Sequence, residues 1–75
     1  MNTGIKNKLK TLIGENIQYS RFDTGVLLMY PPKEVNPHVY KILRIEGEDC
    51  VVLGNEEGET FLSIDHIFQL LVKRI

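Results

Sequence analysis

The last third of the chain constrains the fold most. Glu46-Gly47-Glu48-Asp49 predicts a tight turn, Cys50-Val51-Val52-Leu53 a short buried strand, and Gly54 to Gly58 an acidic turn bounded by glycines. Thr60 to Ile64 predicts another strand, Asp65-His66 a break, and Ile67 to Val72 the strand that finishes the sheet. Strands this short, joined by turns this tight, fit a small, strongly bent β-barrel. Few folds place so much strand in 75 residues.

The upstream half supplies the other elements. Asn2 or Thr3 can cap a helix over residues 4–13, with Ile5, Leu9, Leu12 and Ile13 on one face and Gly14 as its stop. A helix of about ten residues does not stand alone in water, so that face must pack on the sheet. Ile17 to Phe22 alternates as a strand does, and Asp23-Thr24-Gly25 makes a tight turn. Val26 to Tyr30 is apolar and is stopped by Pro31-Pro32, which opens a loop to Pro37. Residues 22–38 are therefore an inserted hairpin or an inserted loop. Val39 to Ile45 is the longest strand; its apolar side switches between Ile42 and Leu43, which predicts a bulge or a sharp bend.

A chain of this length forms one domain, 1–75, with the helix followed by a barrel over 15–75. Small domains often need disulfides, metal or oligomerisation. One cysteine, Cys50, and two histidines, His38 and His66, leave oligomerisation as the open route. We expect no metal and no cofactor. No signal peptide or membrane-length apolar run is present, and a lone thiol suits a reducing compartment, so the expectation is a soluble cytoplasmic protein.

The net charge of −1 predicts no particular attraction to nucleic acid, but its distribution is uneven. Lys6, Lys8 and Lys10 make a basic start, and six acids with no base lie between Glu46 and Glu59. Ser20, Ser63 and Cys50 sit in no nucleophile motif, and neighbours Asp65 and His66 would point to opposite faces of a strand. The chain is expected not to be an enzyme.

A short N-terminal helix followed by five or six bent antiparallel strands, with the run acidic turn, CVVL, turn, strand, DHI, strand, resembles the Sm-like superfamily, whose barrel is of the SH3-like type. The resemblance covers roughly Gly4 to Val72. It implies a mainly β fold that assembles as a homo-oligomeric ring of about five to seven subunits. It also implies binding of single-stranded RNA. Setting Val51-Val52-Leu53 on the family's third strand puts Glu46 and Cys50 at its pore Asp and Asn, and places Glu48 and Asp49 beside them. Setting Ile67 on the later motif puts Ser63 at the stacking Arg, with His66 displaced from the bacterial Lys-His pair.

An acidic pore repels phosphates, so usable RNA contacts would lie elsewhere. The candidates are Lys6, Lys8 and Lys10 with Tyr19, Arg21, Lys41 and Arg44, besides Ser63, His66 and the Lys73-Arg74 tail. The final strand is apolar on both faces, unlike a guarded edge. Phe61, Ile64, Ile67, Phe68, Leu70 and Val72 are thus the expected subunit interface. The alternative function is an assembly or adaptor module that keeps the barrel without RNA. An exposed Val26–Tyr30 run could serve such docking, unless it is an internal strand.

Overall fold

In a computed structural model, which describes residues 3–33 and 39–73, alternating apolar side chains and Gly-marked turns produce one helix and six strands. The elements are α1 (Thr3–Thr11), β1 (Asn16–Phe22), β2 (Gly25–Tyr30), β3 (Val39–Glu46), β4 (Cys50–Asn55), β5 (Gly58–Ser63) and β6 (Ile67–Val72). A single 3-10 turn, Ile64–His66, joins β5 to β6 at the Asp65-His66 break. The fold is mainly β with one N-terminal helix, as the sequence predicts.

The strand order is β5-β4-β3-β1-β2-β6. Val26–Tyr30 lies in an added internal strand, with Val26 and Leu28 buried, so the hairpin alternative holds and the run is not a free docking segment. That insertion changes the expected topology. Every pair is antiparallel except β2–β6, which is parallel, so the sheet is mixed. The antiparallel β1–β2 hairpin reverses the chain once more before β6 docks. The pairing does not close on itself; β5 and β6 remain its two edges. Cα extents of 30 × 28 × 27 Å are those of a sheet curled around its core rather than laid flat.

Two bulges shape the curl. β3 pairs Ile42 with Leu53 but Arg44 with Val52, leaving Leu43 as the extra residue. This is where the apolar side switches in the sequence. β6 pairs Ile67 with Val26 but Gln69 with Leu27, leaving Phe68 extra. Simple alternation groups Phe68 with Leu70 and Val72, and Ile67 with Leu71. The bulge instead turns Ile67 to the core with Leu70 and leaves Phe68 and Leu71 exposed.

Ile5, Leu9 and Leu12 enter one core with Ile17, Leu28, Ile42, Leu53 and Ile64, so α1 packs inside the curl. α1 ends two residues earlier than expected. Leu12–Gly14 is a turn, and Ile13 points outward instead of extending the helical face. After it the chain is clamped to β3: the Gly14 N–H donates to Ile42 O (2.7 Å) and the Ile42 N–H to Glu15 O (3.0 Å). The Pro31–Pro37 loop after residue 33, His38, the Asn2 cap and Arg74 lie outside the described residues. No helix among the described residues is long and apolar enough to cross a membrane.

Candidate interaction surfaces

The sheet register brings the three resemblance-derived positions together. Glu46 on β3 is paired with Cys50 on β4, and Cys50 with Ser63 on β5, so the three form one row across three strands. The neighbouring turns are joined, because the Ile64 N–H donates to Asp49 O (2.6 Å). Glu48, Asp49 and His66 are exposed around this row, while Cys50 and Ser63 are half-buried. The row carries no cation. Its chemistry is a carboxylate, a thiol and a hydroxyl, which cannot present an amide's paired donor and acceptor or stack on a base. Among the described residues no side-chain cluster is arranged to hold a metal, and no polar side chain is buried.

The expected RNA contacts divide differently. Arg44 is engaged: its Nε donates to Glu46 (3.0 Å), and its Nη2 and Nη1 donate to Glu59 at 3.2 and 3.5 Å. The Glu59 hydrogen bond, the largest cause, raises the Arg44 pKa above its ordinary value; desolvation opposes it, and the Glu46 hydrogen bond adds to the rise. Glu59 is fifteen residues away and reaches Arg44 across β4, so alternation along one strand did not show the pairing. Two carboxylates thus offset the charge of an exposed guanidinium. Tyr19 is half-buried against Tyr40, ring centroids 5.4 Å apart. Arg21 and Lys41 are exposed. Lys8 and Lys10 are exposed and Lys6 half-buried on α1, and none of the three makes an ion pair among the described residues.

The expected interface set divides as well. Ile64, Ile67 and Leu70 are inside the protein's own core, because the 3-10 turn and the Phe68 bulge direct them inward. They help hold this domain's own core together. Phe61 on β5 is 60% exposed and Phe68 on β6 48%, while Val72 is half-buried. Sequence alternation missed Phe22, Leu71 and Met29. Phe22 is 53% exposed and meets Phe68 edge-on at 5.9 Å. Leu27 and Met29 share its face through the β1–β2 register, and Leu71 through the β2–β6 register. The exposed apolar surface thus concentrates beside the β6 edge.

One hydrogen bond gives the end of β2 a pH signature. The Tyr30 hydroxyl donates to Glu15 Oε1 (3.2 Å), and this bond, then the carboxylate's charge, raises the Tyr30 pKa above 10.0. A raised tyrosine pKa adds stability that is complete below pH 10.0 and lost as pH rises through the folded-state value. Ultraviolet titration of tyrosinate should therefore show a late component that moves to lower pH in Glu15→Gln. Superimposable curves would show that the bond does not form in solution.

Comparison with known proteins finds no family model, no curated protein and no solved structure that matches this chain.

Proposed function

We propose that this chain is an assembly module of Sm-like type, whose copies join edge to edge through β5 and β6 into a homo-oligomeric ring. The observation that carries the reading is the uncharged outer strand β6 together with an exposed phenylalanine at each edge of the sheet. Among the described residues each outer strand lacks a backbone partner on its outer side, and each exposes a phenylalanine, Phe61 on β5 and Phe68 on β6. Monomeric proteins protect such edges with charge, proline or a covering element. β6 carries no charged residue at all. Closing a ring satisfies both edges at once, without leaving a free end.

Size-exclusion chromatography with light scattering over a wide concentration range tests this. The expected mass is a fixed multiple of 8.6 kDa. A chain that stays monomeric at every concentration sinks the reading.

A second reading, RNA binding by the same assembly, is supported by the unpaired lysines of α1. A ring repeats Lys6, Lys8 and Lys10 in every copy, which would multiply their positive charge. The expected result is binding of a short U-rich single strand that weakens steeply with salt. Replacing the three lysines by alanine should lower affinity at low salt at least tenfold. Equal affinity in the triple variant, or no dependence on salt, leaves the assembly reading without RNA.

A further inference from the structure

The two free edges end in opposite charges. At the end of β6 is an open pocket of about 590 Å³, with Met29, Pro31, Pro32, Leu71 and Val72 as apolar wall. Among the described residues its only charged lining residues are Lys33 and Lys73. Both are fixed through their backbones, since the Lys33 N–H donates to Gln18 Oε1 (2.9 Å) and the Lys73 N–H to Tyr30 O (2.7 Å). At the other edge, Glu56 and Glu57 form the turn into β5, and Glu59 follows on the strand. Glu59 is engaged by Arg44. Glu56, Glu57, Lys33 and Lys73 make no ion pair among the described residues.

We infer that these charges set the direction of assembly: the Lys33–Lys73 end of β6 in one copy receives the Glu56–Glu57 turn of the next. This rests on the assembly reading and goes beyond it, since it specifies which edge meets which. β5 and β6 run in the same direction within one sheet, because four antiparallel steps and one parallel step separate them. Each sheet curls around its own core. In the inferred joint, the core face of one curl continues into the outer face of the next. That reversal makes β6 and the neighbouring β5 antiparallel.

Antiparallel pairing sets the end of β6, with Lys73, beside the start of β5, with its glutamate turn. The apolar pocket then faces the β5 edge, which exposes Phe61. A two-fold pairing of β6 with β6 would instead set Lys73 beside the start of the same strand, near Ile67, and leave the glutamates unused. Opposite charges favour the first arrangement and give it a register.

Charge exchange in the full chain tests the inference. Glu56→Lys/Glu57→Lys and Lys33→Glu/Lys73→Glu should each raise the concentration needed for assembly at least tenfold. An equimolar mixture of the two variants should restore it, because each basic end then meets an acidic one. The variant carrying all four changes should assemble as the unaltered protein does. Double variants that assemble normally overturn the inference and leave the pocket to a foreign acidic segment. Failure of the four-change variant to assemble also overturns it, whereas recovery of the mixture requires an even number of subunits in the ring. An unaltered chain that is monomeric under all conditions removes the assembly reading itself, a result separate from either of these.

Discussion

Gly25→Ala should lower the stability of this domain by about 3–5 kcal/mol, the largest effect expected from removal or addition of a single methyl group here. Two causes act together. Gly25 has φ +139°, a conformation that side chains with a Cβ essentially do not adopt. A Cβ built there also collides with the backbone carbonyl oxygen of His66 and comes within 3.3 Å of Phe68 Cδ2. The backbone carbonyl cannot swing aside as a side chain can. Relief requires β2 to move away from the 3-10 turn, where the parallel β2–β6 pairing begins at Val26 and Ile67. Domains of this size shift by about 4–8 °C in melting temperature per kcal/mol. The expected fall is therefore about 12–40 °C, or loss of folding at room temperature. Gly47→Ala is the control: it has φ +66° with nothing within 4 Å of a new Cβ, and should lower stability by only about 1 kcal/mol. Thermal melts that place the two variants within a degree of each other would show that the His66 contact does not limit the fold.

Turns marked by glycine, and strands marked by alternation, were legible in the sequence. The switch from Ile42 to Ile45 exposed the Leu43 bulge, because one side of β3 is polar enough to show the change. The Phe68 bulge left no such mark. Ile67, Phe68, Leu70, Leu71 and Val72 are all apolar, so a one-residue slip changes which of them are buried without changing the pattern. The parallel β2–β6 pair was also hidden. It depends on whether Val26–Tyr30 is a strand or a loop, and both fit an apolar run stopped by Pro31-Pro32. Arg44 illustrates the limit for the candidate surfaces: its charge was visible, but its partner on another strand is a product of the register.

Phe61→Asp should convert an assembled protein to monomer while leaving the monomer folded. Phe61 sits on edge strand β5 and is 60% exposed, so its loss removes little from the core. Exposed substitutions of this kind usually change stability by about 0.5 kcal/mol or less. At an interface the same ring would bury most of that surface, worth about 1.5–3 kcal/mol, and the new carboxylate would have to be desolvated as well. A loss of about 3 kcal/mol per contact weakens association by roughly two orders of magnitude. Light scattering should therefore report monomer at concentrations where the unaltered chain is assembled, with an unchanged melting curve at high dilution. Leu28→Ala separates this from simple unfolding. Leu28 is fully buried, so its truncation should lower stability by about 2–5 kcal/mol. Any loss of assembly in Leu28→Ala should therefore track loss of fold. Phe61→Asp that assembles as well as the unaltered chain would show that β5 is not a joining edge, whatever mass the protein has in solution.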